Sequence, residues 1–335
     1  MRRNFRNILI VLHIIFAAAG FYIYLYNYQL SENLLVQKTL SKQEVVAKAG
    51  SLAVENLIKS AVTELSSFVF TFAKVDENSV INKGATRTAF LDYMSKASVP
   101  INEIAVYDES GKLLVIENRE NLHTGENQNF SDRDFIQWSK DPSNKNKLFI
   151  SDPYLAKAGA SLGKTIIVLA EPIYFGSKFK GTLAIRILVD DFKKAFIDPL
   201  VADMDEDSFI IDTSGVLLAG KPNLQNQNLF VYAQNKKWSQ YNDFITNLKV
   251  ATKQSQTQTS WVFQNPGEDP KILLAGISKI DVPNTDRDLY LVVVSSKDNV
   301  TSSLTWLRRY GFIWLGFGVL TTIAGGVAVI FLKAD

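Results

Sequence analysis

The 335-residue chain contains no cysteine, which removes disulfide staples, thiol nucleophiles and cysteine-ligated metals together. It has two histidines, His13 and His123, so a His-based zinc centre or a Ser-His-Asp relay has almost no imidazole to draw on. Charge of one sign is also lacking: Lys plus Arg number 36 against 34 Asp plus Glu, a formal net of +2. No arginine-rich stripe with interleaved aromatics occurs, so nucleic-acid binding has no electrostatic footprint. A Gly-rich phosphate loop, a metal-ligand cluster and an acid pair spaced for catalysis are missing as well. The reading is therefore of a chain that is not an enzyme, takes no cofactor or metal, and binds or supports something. His123, alone in a polar loop, is assigned no role.

Two long apolar runs set the topology. ILIVLHIIFAAAGFYIYLY, Ile8 to Tyr26, has about the length that crosses a bilayer core of ~30 Å. MRRNFRN precedes it, and its arginines place that end in the cytoplasm by the positive-inside rule. AAAG resembles a small-residue cleavage site, the mark of a removed signal peptide. The apolar run continues through FYIYLY, however, which favours an uncleaved signal anchor. The second run, Gly311 to Leu332, carries no charge, and only Lys333, Ala334 and Asp335 follow it. Two spans in a cell inner or plasma membrane follow, with the central part facing away from the cytoplasm.

Between the runs, residues 28–75 hold no proline and one glycine, Gly50, as a long helix would. Ile58, Val62, Leu65, Val69 and Phe72 repeat by four and three, and Val45, Ala49 and Leu52 extend the stripe upstream. Such a stripe packs on its own domain or pairs with a second copy, which predicts a homodimer through the stalk. Further on, the sequence repeats itself. NEIAVYDESGKLLV (102–115) matches DSFIIDTSGVLLAG (207–220), and residues 166–189 match 272–295, with nearly equal offsets. The expected class is α+β: a stalk helix and two tandem antiparallel-sheet modules, flanked by two transmembrane helices. The boundaries read as a cytoplasmic tail at 1–7, a span at 8–28, the stalk at 29–75, and modules at 76–204 and 205–303. A second span with its lead-in covers 304–332, and 333–335 returns to the cytoplasm.

With SDRDF, ISDPY, AEPIY and KGTLAIRILVDDF in the first module, the order resembles the double Cache ectodomain. That family comprises the sensing domains of bacterial chemoreceptors, sensor histidine kinases and diguanylate cyclases. The resemblance spans residues 30 to about 305. It implies PAS-like modules, a ligand in the membrane-distal one, and an arginine, a following aromatic and the PY tyrosine in the pocket. Those positions match Arg133, Phe135 and Tyr154. Amino-acid-binding members also carry two acids that hold the α-ammonium group; here those positions are Ala156 and Arg186. The resemblance therefore implies a small carboxylate or other anion without a cationic amine, rather than an amino acid.

Read without the family, the same residues leave alternatives open. Ser131 followed by Asp134 resembles a capping box, heading a helix through Lys140. Arg133 is then either a solvated helix-start residue paired with Asp132 or Glu126, or one that faces an anion. On GTLAIRILV, Leu183, Ile185, Ile187 and Val189 alternate to the core, leaving Thr182, Ala184, Arg186 and Leu188 on the other face. Arg186 makes that cavity cationic unless Glu171 neutralises it. Tyr107, Trp138, Tyr154 and Tyr174 wall the pocket or simply pack. Asp152, beside Pro153, caps a turn or touches the ligand. In the second module Trp261, Phe263 and 289–295 read as core, TKQSQTQTS (252–260) as a polar turn, and the whole as a relay without a site. The function expected is a transmembrane receptor for a small molecule, with a signalling partner in the cytoplasm or membrane. The alternatives are a stand-alone binding or structural subunit, and an amine or amino-acid sensor. The three residues after the second span hold no output domain, so the chain is either cut short there or signals through a partner.

Overall fold

The computed structural model describes residues 2–73, 83–97, 100–201, 206–220, 228–235, 258–265 and 271–331. The expected junctions at 75/76 and 204/205, residues 252–257 and 333–335, and the side chains of Phe72, Trp261 and Phe263 lie outside what is described.

Helix α1 (Arg2–Ala73) is unbroken and includes both the first apolar run and the stalk. All nine prolines lie at or beyond Pro100, so nothing in this stretch removes a helical N–H. From Gln43 the buried face steps through Ala47, Ser51, Val54, Ile58, Ala61 and Leu65, by fours and threes. The expected upstream stripe faces out instead: Val45 is 62% and Leu52 46% exposed. The reason is phase, since Val45 stands two residues from Gln43 and from Ala47, about 200° round the helix. Strand β10 (Lys271–Ile280) lies against the buried face so closely that a Cβ on Gly276 would sit 2.5 Å from the Gln43 carbonyl. Small and polar residues therefore occupy this contact, with Ser51 and Ser278 hydroxyls 2.8 Å apart and Gln43 donating to Ser295 Oγ at 2.5 Å.

After α2 (Lys83–Lys96) come strands β1 (Glu103–Asp108) and β2 (Leu113–Asn118), then the short helix α3 (Asp134–Ser139). β3 (Phe149–Ile150), β4 (Tyr154–Leu155), β5 (Thr165–Phe175) and β6 (Lys178–Leu188) complete the first sheet, ordered β2-β1-β6-β5-β3, with β4 also on β5. The second sheet comprises β7 (Glu206–Asp212), β8 (Leu217–Ala219), β9 (Gln258–Asn265), β10 (Lys271–Ile280) and β11 (Leu289–Ser296). Its order, β8-β7-β11-β10-β9, reproduces that of the first. The tail of TKQSQTQTS is therefore strand and not turn, because Gln258, Thr259 and Ser260 pair with Ser278, Ile277 and Gly276.

The sequence repeat has a shared physical cause. Asp108 Oδ1 accepts from Ser110 N, Ser110 Oγ and Lys112 N; Asp212 Oδ1 accepts from Ser214 N, Ser214 Oγ and Val216 N. Each turn then passes through a glycine at positive φ, +86° at Gly111 and +92° at Gly215. One face of the first sheet, with Ile104, Val106, Leu169, Ile185 and Ile187, packs on α1 and α2. The other, with Ala105, Tyr107, Val168, Ala170 and Ala184, packs beneath α3 and the surrounding loops. In the second module, Leu289 to Val294 of β11 are all buried.

Residues Met1–Ser41 and Ser296–Asp335 form a compact unit separate from Lys42–Ser295. Within it, Tyr24 Oη donates to the Leu307 carbonyl at 3.0 Å, and His13 Nε2 meets Thr321 Oγ1 at 3.0 Å. Its C-terminal helix is Thr305–Phe331. Near the N-terminus α1 is long and apolar enough to cross a membrane, with an 18-residue window of mean hydropathy 1.3 and no burial.

Candidate ligand pocket of the first module

Strand alternation carries Glu103, Ala105 and Tyr107 to the loop-covered face, and β6 brings Ala184 and Arg186 to the same face. Register sets Glu103 directly opposite Arg186. Arg186 Nη1 donates to Glu103 Oε2 at 2.8 Å and to the Ala158 carbonyl at 3.1 Å, while Nη2 donates to Tyr107 Oη. The second carboxylate oxygen of Glu103 accepts from Ser161 N at 2.7 Å. A Cβ at Gly159 would lie 2.3 Å from that oxygen, and its φ is +76°, so the loop closes over the pair only with glycine there. Burial works against the arginine's charge, but Tyr107 and Glu103 outweigh it and hold its pKa above the ordinary value.

Arg186 is thus neutralised inside the protein, by Glu103 and not by Glu171. Glu171 lies across from Leu183 and points to the opposite face, where Ser66 Oγ of α1 donates to both its oxygens at 2.9 and 3.0 Å.

Arg133 belongs to a different arrangement. It is the N-cap residue of α3, with extended φ −76° and ψ 139°, and no side chain caps the helix. The expected capping box does not form. Ser131 N instead donates to Asn129 Oδ1 at 2.7 Å, and Asp134 accepts from Phe135 N at 2.8 Å. The Arg133 guanidinium lies over the Tyr154 ring, 4.7 Å from its centroid. Neither acid proposed for it is its partner: Asp132 pairs with Lys157 at 3.6 Å, and Glu126 with Arg87 at 2.5 Å. Among the described residues Arg133 has no carboxylate within ion-pair distance.

Arg133, Phe135, Tyr154, Ala156, Tyr107 and Arg186 line one small cavity, together with Phe130, Lys157 and Ile166. Tyr107 meets Phe130 and Phe135 edge-on at 5.9 and 5.3 Å. Burial, then Tyr107, push the Tyr154 hydroxyl above the ordinary tyrosine range, against the pull of Arg186 and Arg133. The cavity measures about 10 Å³, room for one water. A cavity of this size admits no organic molecule unless it widens.

Three expected contributors fall outside it. Trp138 packs on Phe149 at 5.3 Å, and Tyr174 donates its hydroxyl to the Ser139 carbonyl at 3.1 Å. Asp152 turns away from the cavity to pair with Arg287 at 2.6 Å. Glu103 and Lys157 were missed. Glu103 stands four residues before Tyr107 on the same strand, so alternation alone places the two on one face.

No family model matches the sequence, and no curated protein matches it in sequence. Solved structures match it in fold. The periplasmic sensory domain of the Campylobacter jejuni chemoreceptor Tlp1 superposes with a TM-score of 0.62 at 14% identity, covering 79% of this chain and 98% of that one. The extracellular domain of the histidine kinase rpHK1S-Z16 gives 0.60 at 13%, covering 79% and 98%. The ligand-binding domain of the Pseudomonas fluorescens chemoreceptor CtaA, in complex with L-isoleucine, gives 0.57 at 13%, covering 82% and 99%. The repeated sheet order, the long N-terminal helix and these superpositions agree: the chain has the double Cache fold of bacterial sensory domains.

Proposed function

We propose that this protein is a membrane-anchored sensory receptor whose first module binds a small organic carboxylate without a cationic amine. The observation that carries the reading is the Arg133 guanidinium, stacked on Tyr154 at the mouth of the pocket with no carboxylate partner among the described residues. An incoming carboxylate takes both guanidinium N–H edges in the fork geometry that arginine presents. It exchanges for the ring contact, which is worth ~0.5–2 kcal/mol. Lys157, already paired with Asp132, also lines the cavity, and so does Ala156, where amino-acid-binding members carry an acid. Arg186 orders the floor through Glu103 and Tyr107 and does not supply free charge.

The second apolar run, in the C-terminal helix, is the second span, and the sheet modules lie outside the cytoplasm. The exposed stripe Val45, Ala49 and Leu52 meets the same stripe of a second copy. The pocket residues recognise and the chain itself catalyses nothing.

The test is thermal unfolding of the full chain in detergent against acetate, propionate, pyruvate, L-isoleucine and simple amines. A ligand at 100 times its Kd stabilises by about 2.7 kcal/mol. Stabilisation by carboxylates, abolished in Arg133→Ala, supports the reading. Stabilisation by L-isoleucine with none by the acids overturns it in favour of an amino-acid sensor.

A further inference from the structure

Asp152 leaves the pocket to meet an arginine of the other sheet module. Arg287, on the loop leading into β11, donates Nη1 to the Ile150 carbonyl at 3.0 Å and Nη2 to Asp152 Oδ1 at 2.6 Å. The same side chain donates Nε and Nη2 to Asp212 Oδ2, at 3.1 and 2.7 Å. Asp212 is the residue whose other oxygen organises the β7–β8 turn, through Ser214 N and Val216 N. One guanidinium therefore holds the segment that runs through Pro153 into Tyr154 and, simultaneously, the turn of the second sheet. The internal repeat supplies a control. Asp108 makes the same turn bonds in the first module, yet no ion pair to it occurs among the described residues. The cation on Asp212 is therefore not a requirement of the turn. The Arg287 side chain is 15% exposed and that of Asp212 9%, so this pair is held largely out of water, while Asp152 at 63% meets the fork from the solvent side.

We infer that Arg287 is a positioning residue for the pocket: it fixes the Ile150–Asp152 segment that carries Tyr154 and ties that segment's position to the β7–β8 turn of the second module. Guanidinium geometry suits the task because its planar fork holds several acceptors in fixed directions, where a lysine offers a point charge. A movement of Tyr154, such as the widening that the small cavity requires, then shifts the Asp212 turn, and the coupling is reciprocal. The inference rests on the pocket lying at Arg133 and Tyr154, but not on the chemistry of its ligand.

The experiment needs no ligand. Hydrogen exchange is followed by mass spectrometry on the full chain in detergent, in peptides covering 150–156 and 212–216, with β5–β6 peptides as the measure of global stability. Arg287→Gln is expected to speed exchange about tenfold in both segments while β5–β6 stays protected. Tyr154→Ala is expected to speed exchange at 212–216 in a chain with Arg287, and to add nothing there in the Arg287→Gln background. Arg287→Lys, which keeps the charge but not the fork, is the fallback if the glutamine variant unfolds, and should show the same pattern. Acceleration confined to 212–216 in the position-287 variants, or a Tyr154→Ala effect that persists without Arg287, overturns the proposal. Failure of every carboxylate to bind sinks the ligand reading and leaves this result standing.

Discussion

Glu103 and Arg186 face each other across two strands at 0% and 4% exposure; both oxygens of Glu103 accept hydrogen bonds, and Arg186 donates through Nη1 and Nη2 while its Nε has no partner among the described residues. Removing one partner strands a buried charge, which costs about 3–5 kcal/mol, whereas replacing both by apolar groups costs far less. Urea unfolding should show Glu103→Gln and Arg186→Met each strongly destabilised, and the double variant Glu103→Leu/Arg186→Met closer to the parent. Equal and additive losses would mean the two residues act separately. The arginine was legible in the sequence as a pocket-face residue because its neighbours on β6 alternate cleanly. Its partner was not, since pairing depends on which strand lies beside β6. Both candidate acids occupy strands neighbouring β6, but β1 turns Glu103 toward Arg186 and β5 turns Glu171 away.

That misdirected acid matters where a helix meets a sheet. Glu171 is 6% exposed between β5 and α1; burial, offset by the Ser66 hydrogen bond, raises its pKa from 4.5 to about 7. The folded state therefore binds this proton more tightly than the unfolded state. Its stabilising contribution is whole below pH 4.5, declines as pH rises between 4.5 and about 7, and is gone above that. The size is about 3 kcal/mol at most, from 1.36 kcal/mol per pKa unit. Denaturant titrations at pH 5 and pH 8 should show stability falling over this interval, and Glu171→Gln should remove most of the fall; an unchanged slope in that variant rules Glu171 out as its source. Other element-scale features were easier to read. The Asp-x-Ser-Gly hairpins announced themselves because both turns need the same carboxylate and the same positive-φ glycine. The capping box misled because Ser131 has a nearer acceptor in Asn129, which starts the helix later. Polar TKQSQTQTS concealed a strand, since strand pairing here draws on backbone groups that side-chain hydrophobicity does not report.

For the whole molecule, the long helix carries apolar residues on two faces, and only the tertiary contact decides which of them are buried. Periodicity found the Ile58–Leu65 face because large aliphatics fill it against the first sheet. It assigned Val45 and Leu52 to the same face because the buried residues there are Gln43, Ala47 and Ser51, which no hydrophobic pattern selects. The consequence is an apolar stripe left on the outside, Val45, Ala49 and Leu52, with the i, i+4, i+7 spacing of a helix–helix seam. A chain without cysteine makes the proposed dimer directly testable. Single cysteines placed from 43 to 54 in membranes and oxidised should crosslink to a second copy most at positions 45, 49 and 52. They should crosslink least at 47, 51 and 54, which face β10 and the core. Maxima at 45, 49 and 52 would establish a symmetric seam through which a shift of one helix reaches the other. A flat profile would mean the stripe meets some other surface, and that pocket events leave the protein through the second module alone.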